Sequence, residues 1–239
     1  MRVAAISDIH GNLPALEAVL ADVEREGFDL VVVVGDTVTG PFSAGVFDRV
    51  TSVPAVRFVR GNVERLVIEG ADEHGRDWNQ ERVRLGDDRL AAVASWPRTI
   101  ELELDSLGRT LFCHSTASSE DPIYTRITPE DELLELFAGV EADVVVCGHT
   151  HIQYDRRLSS GLRLVNPGSV GMPYEGRRGA YWAALGPDVE LCRSEYDVDA
   201  AVRAIEEQGA PVDEQHIALL LDPMDSEAAT AEFEAMRGA

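Results

Sequence analysis

Arg2-Val3-Ala4-Ala5-Ile6-Ser7-Asp8-Ile9-His10 opens the chain with an apolar run that stops abruptly at two polar residues, at i and i+2. Arg2 to Ser7 reads as a buried strand, and on an extended chain Asp8 and His10 project to one side. Outward from this stretch, Leu13 to Arg25 is predicted as a helix. Its apolar residues Leu16, Val19, Leu20 and Val23 fall at helical spacing, and Pro14 suits the first turn. Leu30 to Val34 is a β-branched run of the kind buried on both faces. Ser43 to Ser52 is expected to be a short helix and Ala55 to Arg60 a third strand. The order β-α-β-α-β predicts a parallel sheet core.

Farther along, Glu69 to Ser95 is polar, contains Trp78 and reads as helical, ending before Pro97. Thr99 to Leu104 and Arg109 to Cys113, separated by Asp105-Ser106-Leu107-Gly108, predict a hairpin. Pro129 to Gly139 is expected as a helix. Asp143 to Cys147, Leu162 to Val165, Ala180 to Leu185 and Val189 to Arg193 are expected as strands. From Asp199 the tail is helical and acidic, broken at Gly209-Ala210-Pro211 and at Asp222-Pro223.

Polar residues recur where the apolar runs stop. Asp8 and His10 follow the first strand, Gly35-Asp36 the second and Gly61-Asn62 the third. His114 follows Cys113, and Gly148-His149-Thr150-His151 follows Cys147. In open α/β sheets, sites form outside the carboxyl ends of the strands. Of the six histidines only His74 and His216 stand outside this set. Imidazoles, carboxylates and one amide, without thiolate, are ligands for Mn, Fe, Zn, Co or Ni, and are richer in nitrogen than Mg or Ca favours.

Composition removes other classes. The 239 residues carry a formal charge of −22, and all 21 basic residues are arginine. Without lysine there is no Schiff-base anchor and no Walker-type phosphate loop. The charge argues against extended nucleic acid as a partner. The longest apolar run, Phe28 to Gly35, is too short to span a membrane. The start lacks the apolar core of a signal peptide, and Cys113, Cys147 and Cys192 form no CxxC pair, so free thiols and a cytoplasmic protein are expected.

The order Asp-x-His, Gly-Asp, Gly-Asn-x-Glu, His, Gly-His-x-His, over about residues 1 to 195, resembles the calcineurin-like metallophosphoesterase superfamily. Asn166-Pro167-Gly168-Ser169-Val170-Gly171-Met172-Pro173, with Trp78 and Ser95-Trp96-Pro97, is similar to its small bacterial and archaeal phosphodiesterase-type branch. That branch includes diadenosine polyphosphate hydrolases. The resemblance implies an α/β fold, a four-layer αββα sandwich of two mixed sheets flanked by helices. The dinuclear metal site lies at the strand C-terminal edge. It implies a metallophosphoesterase domain over residues 1–196, with a helical insert at about 69–96. The helical C-terminal extension over 197–239 is expected to pack on or beside it or to mediate self-association.

Carried over by position, the resemblance places Asp8, His10, Asp36 and His151 on one metal and Asp36, Asn62, His114 and His149 on the other. On the same resemblance Asp36 is expected to bridge the two, and Asp36, Asn62 and His114 are expected to act in catalysis through a metal-bridging hydroxide. Manganese is the first expectation, with Fe, Zn, Ni or Co as alternatives. The implied activity is hydrolysis of phosphodiesters or nucleotide-like phosphoanhydrides. The alternatives are a phosphomonoesterase or protein phosphatase, and a catalytically weak metal- or nucleotide-binding regulator. The expected partner is a small phosphorylated substrate, with monomer and homo-oligomer both open.

Two positions depart from the family pattern. Val63 replaces the histidine that usually follows Gly-Asn, so good leaving groups are expected to be favoured. Ser115 replaces a glycine. Arginine is the natural bidentate partner for phosphate, which makes Arg65, Arg126, Arg177 and Arg178 candidates for substrate contact. Tyr124 and Trp78 are weighed as stacking surfaces against a place in the core. The segment Ser118 to Tyr124 is expected to line the cleft. Glu64 is weighed as a support for the Asn62 loop, and Asn166 and Ser169 are read as structural.

Overall fold

The computed structural model describes residues 1–71, 78–208 and 214–237. In chain order the elements are β1 (Val3–Ile6), α1 (Leu13–Glu26), β2 (Leu30–Val34), α2 (Ser43–Thr51), β3 (Val56–Val59) and α3 (Asn62–Glu69). Then come α4 (Asn79–Leu85), α5 (Asp87–Ala94), β4 (Thr99–Leu104), β5 (Gly108–Cys113), α6 (Glu130–Leu136) and β6 (Val144–Val146). The chain continues with β7 (Tyr154–Arg157), β8 (Arg163–Asn166), β9 (Ala180–Leu185), β10 (Val189–Ser194), α7 (Val198–Glu207), α8 (Glu214–Leu221) and α9 (Ser226–Arg237).

Helix α1 begins where the Asn12 side chain accepts the Ala15 N–H, and it stops at Gly27 in a left-handed conformation. Its apolar stripe of Leu16, Val19, Leu20 and Val23 is buried against the first sheet. That sheet has the order β10-β9-β1-β2-β3. Strands β1, β2 and β3 are parallel, as the βαβ order requires, and β9 joins antiparallel to β1. The second sheet runs β4-β5-β6-β8-β7, with β5, β6 and β8 parallel and antiparallel strands at both edges.

Strand alternation separates the layers. Val3, Ala5, Val32 and Val34 of the first sheet meet Phe112, Val144, Val146 and Val165 of the second in a common core. On the far side of the first sheet, Ala4, Ile6, Val31 and Val33 pack against α1 and against Val46 and Val50 of α2. On the far side of the second, Leu111, Cys113, Val145 and Cys147 pack against Leu133 and Phe137 at α6. The result is helices, sheet, sheet, helix, as expected.

The predicted hairpin is present in register, from Thr99 opposite Cys113 to Leu104 opposite Gly108. The three cysteines are free thiols, with Cys113 and Cys147 buried. Two elements differ from expectation. The helical region starts at Asn62 rather than Glu69, because Gly61 caps α3 and the Glu64 side chain accepts the Gly61 N–H. It is also not one helix: Gly70 ends α3 in the left-handed region, and Gly86 at φ 79° separates α4 from α5. His74 lies outside the described residues. Strand β7 was not anticipated, since Asp155, Arg156 and Arg157 hide its alternation. It is an edge strand, where charge is tolerated.

In the tail, α8 and α9 separate at Asp222-Pro223 as expected, while the break at residues 209–211 lies outside the described residues. Among the described residues, no helix is long and apolar enough to cross a membrane.

Candidate metal centre

The ends of β1, β2, β3, β5 and β6 lie side by side and deliver seven polar side chains to one edge of the sandwich. The delivery does not use the extended geometry expected for Asp8-Ile9-His10. Among the described residues the non-glycine residues with positive φ are Asp8 (55°), His10 (44°), Asp36 (52°), His149 (70°) and His151 (57°). Each such conformation costs about 1–3 kcal/mol, which concentrates strain on these five positions. The turns are laced together. The Asp8 N–H donates to Gly35 O and the His10 N–H to Asp36 O, both at 3.0 Å, and the Gly148 N–H donates to His114 O at 2.9 Å. Two glycines make the close approach possible. A Cβ at Gly61 would stand 2.2 Å from Asp36 Oδ1, and one at Gly148 would stand 2.0 Å from Ser7 Oγ.

Two triads result. The ligand-type atoms of Asp8, His10 and His151 lie within 4.8 Å of one another, and so do those of Asp36, His114 and His149. In the first, His151 Nε2 is 3.2 Å from both Asp8 Oδ1 and His10 Nε2. In the second, His114 Nε2 is 3.4 Å from Asp36 Oδ2 and 2.9 Å from Asn62 Oδ1. Asp36 links them: its Oδ1 accepts the Val63 N–H at 3.0 Å, while its Oδ2 lies 3.8 Å from His10 Nε2 and 3.4 Å from His114 Nε2.

The hydrogen bonds orient the rings. His151 Nδ1–H donates to Met172 O at 2.8 Å, and His114 Nδ1–H donates to Val34 O at 2.8 Å. Each therefore turns Nε2 toward a carboxylate. His149 is oriented the other way: its Nε2–H donates to Asp121 O at 3.1 Å, which leaves Nδ1 for the second triad.

Buried carboxylates facing imidazole nitrogens favour positive charge between them. Asp8 Oδ1 is buried and accepts no hydrogen bond. Burial raises the Asp8 carboxyl pKa, but neighbouring His151 outweighs it and holds the pKa below the usual range. Asp36 is likewise lowered, with His114 overcoming burial. Burial opposes protonation of His114, yet the charge of Asp36 beside it lifts its pKa to about 10; His151 rises for the same reason beside Asp8. Burial and the neighbouring imidazolium push His10 to about 4 and His149 to about 4. Each triad thus favours positive charge among its ligand-type atoms. Nitrogen-rich, thiolate-free donor sets of this kind suit two divalent transition-metal ions.

A second layer supports this arrangement. The Glu64 carboxylate is buried and accepts N–H groups from Asp36 (2.9 Å), Thr37 (2.6 Å), Val38 (3.3 Å) and Gly61 (2.8 Å). Asn166 Nδ2 donates to Gly148 O at 2.7 Å, and Ser169 Oγ donates to Asp8 O at 2.7 Å. Tyr174 stacks on His151, with centroids 5.3 Å apart and planes 21° apart.

The other candidate residues scatter. Arg65 is half-buried on α3 and donates to Asp121 Oδ1 at 2.5 Å, beside the carbonyl that receives the His149 ring. Arg126 reaches Ser226 at 3.5 Å. Arg177 pairs with Glu195 on the surface. Arg178 is tied to the C-terminal helices, donating to Leu221 O at 2.7 Å and to Asp199 at 3.0 Å. Tyr124 is 3% exposed, donates to Ser115 O at 2.6 Å and lies edge-on to Phe137, so its ring belongs to the core rather than to a stacking surface. Trp78 is buried with Val63, Val38 and Trp96. Sequence reasoning missed Tyr174, for which no local signal exists, and underweighted Glu64, whose capping-box spacing after Gly61 was the available signal. His216, set aside in the sequence, is buried on α8, and its charge also counts against protonation of His10.

The calcineurin-like phosphoesterase superfamily domain matches residues 1–185. An uncharacterized protein of Methanocaldococcus jannaschii is 26% identical over 235 residues, covering 87% of this chain and 93% of that protein. Among solved structures, a metallophosphoesterase from Sphaerobacter thermophilus superposes with TM-score 0.71 at 26% identity, covering 93% of this chain and 98% of that one. A hypothetical protein from Pyrococcus horikoshii shares the fold, with TM-score 0.78 at 19% identity over 94% of this chain and 99% of that one.

Proposed function

Because the chain belongs to the calcineurin-like phosphoesterase superfamily and is a metal-dependent phosphoester hydrolase, we propose that it hydrolyses phosphodiesters or nucleotide-like phosphoanhydrides, with manganese as the working metal. Asp8, His10, Asp36 and His151 would hold one ion, and Asp36, Asn62, His114 and His149 the other. The observation that carries this reading is Asp36 Oδ2, turned toward both His10 Nε2 at 3.8 Å and His114 Nε2 at 3.4 Å while Oδ1 is occupied by the Val63 N–H. Two divalent ions held by these residues would supply Lewis acidity toward phosphoryl oxygens and a lowered pKa for bound water.

The protein's own part is orientation. The fixed Nδ1–H bonds of His114 and His151 and the left-handed turns hold the donor atoms before any ion arrives, which limits reorganisation during reaction. Arg65 is the arginine we assign to a phosphate oxygen, because its anchor Asp121 also receives the His149 ring. At position 63 the side chain is valine, packed with Val38, Val67 and Trp78. It offers no proton to a departing oxygen. General acid help is worth about 10²–10⁴ in rate, so its loss disfavours phosphomonoesters and simple alkyl esters.

The test sets bis-p-nitrophenyl phosphate, p-nitrophenyl phosphate and diadenosine tetraphosphate side by side with the Mn²⁺-loaded protein. The diester or the dinucleotide is expected to turn over at least about tenfold faster than the monoester. A faster monoester reaction contradicts the substrate assignment. No turnover with Mn²⁺, Ni²⁺, Co²⁺ or Fe²⁺ leaves a binding protein instead of an enzyme.

A further inference from the structure

Helix α9 lies beyond residues 1–185, the span of the family match, yet it touches the surroundings of the metal centre. Phe233 on α9 packs edge-to-face on Tyr174, with centroids 5.8 Å apart and planes 68° apart. Tyr174 in turn stacks on His151, and its backbone N–H donates to His151 O at 3.3 Å. The His151 ring also meets His10, with centroids 4.9 Å apart and planes 42° apart. The imidazole therefore has ring contacts with both His10 and Tyr174, and Phe233 backs Tyr174 from 82 residues beyond His151 in the chain.

The helix that carries Phe233 is fastened along its length. Before its start, the Gly176 N–H donates to Met224 O at 2.8 Å. In its middle, Ala229 and Thr230 are buried. Toward its end, Glu234 accepts from Thr125 at 2.5 Å and from Thr128, and Arg237 pairs with Glu132. A helix held at both ends is a firm backing for one ring.

We propose that Phe233 is a positioning residue of the metal centre, holding Tyr174 and through it the ring of His151 in the orientation that binds one of the two ions. The inference rests on His151 being a ligand, as assigned above. Partners that orient metal-bound histidines typically change affinity by about 10–100-fold when removed. Phe233 acts through one intermediate ring, so the low end applies.

The test is calorimetric titration of the metal-free full-length protein with Mn²⁺, without substrate, for the parent, Phe233→Ala, Phe233→Leu and Tyr174→Phe. In Phe233→Ala, one Mn²⁺ equivalent is expected to bind about tenfold more weakly and the other within about twofold of the parent. Tyr174→Phe, which keeps the ring, should titrate like the parent. Unchanged affinity for both ions, or equal weakening of both, overturns the proposal. If Phe233→Ala does not fold, Phe233→Leu decides: selective weakening of one equivalent by about threefold supports the proposal, and parent-like titration overturns it. A parent that binds fewer than two ions counts against the proposed function. A parent that binds two ions, with Phe233→Ala unchanged, counts against this inference alone.

Discussion

The carboxylate of Glu64 accepts the backbone N–H of Asp36 at 2.9 Å. Through three further N–H bonds, from Thr37, Val38 and Gly61, the same side chain fixes the turn that presents Asp36 and the start of the helix that presents Asn62. In Glu64→Gln one oxygen becomes an NH₂ facing N–H donors. Leaving buried donors unpaired costs about 1–3 kcal/mol each, so the variant is expected to lose at least that much stability. It is also expected to bind the ion at Asp36, Asn62, His114 and His149 more weakly. Denaturant unfolding and Mn²⁺ titration check both; parent-like values in both contradict the role.

Val63 sets the expected leaving-group dependence. Its N–H is spent on Asp36 Oδ1 and its side chain lies in an apolar cluster, so a departing oxygen receives no proton from this position. Across aryl phosphodiesters of increasing leaving-group pKa, the rate should fall steeply. About 10²–10⁴ separates reactions with and without such help. A flat series contradicts the reading and calls for another acid in the cleft.

Glu234 gives α9 a dependence on acid. Burial raises its carboxyl pKa, but hydrogen bonds from Thr125 and Thr128 and the charge of Arg237 hold it below the ordinary carboxylate value. A lowered carboxylate contributes stability above its unfolded pKa and loses it as pH falls through the folded one. The stability difference between the parent and Glu234→Gln should therefore be present at neutral pH and shrink below about pH 4.5. Melting curves of the two proteins between neutral pH and pH 3 measure it. A difference that grows on acidification contradicts the assignment.

A formal charge of −22 predicts a response to salt. Screening of self-repulsion should raise Tm as NaCl increases in chelator-treated protein. For a chain of this size, each 1 kcal/mol is worth about 2–4 °C. Falling stability across the same range contradicts a surface dominated by repulsion. At the proposed site, two divalent ions would offset this charge locally, so an acidic chain and an anionic substrate are compatible.

Much of this was legible in the sequence for a physical reason. A buried strand is apolar until its end, so Asp8, Asp36, Asn62, His114 and His149 stand out as soon as the run stops. Strands β1, β2 and β6 are readable because they are buried on both faces and so form continuous apolar runs. Strand β7 is not, because an edge strand can carry Asp155, Arg156 and Arg157. Tyr124 is open between a stacking surface and the core on sequence grounds, because a ring in a loop has no periodicity to show where it points; it lies edge-on to Phe137. The left-handed turns were hidden too. They form where the Asp8 and His10 N–H groups donate to Gly35 O and Asp36 O after β2, contacts no local pattern announces. The contact of Phe233 with Tyr174 has no local pattern at all, since it is made by packing across the chain.

The central claim is two ions shared through Asp36. The most direct measurement is the number of Mn²⁺ ions bound per chain, by elemental analysis of the parent and of Asp36→Asn after equilibration and desalting. Two ions in the parent, with both metal loading and diester hydrolysis lost in Asp36→Asn, is the predicted result. One ion in the parent, or two ions and full activity in Asp36→Asn, would contradict it.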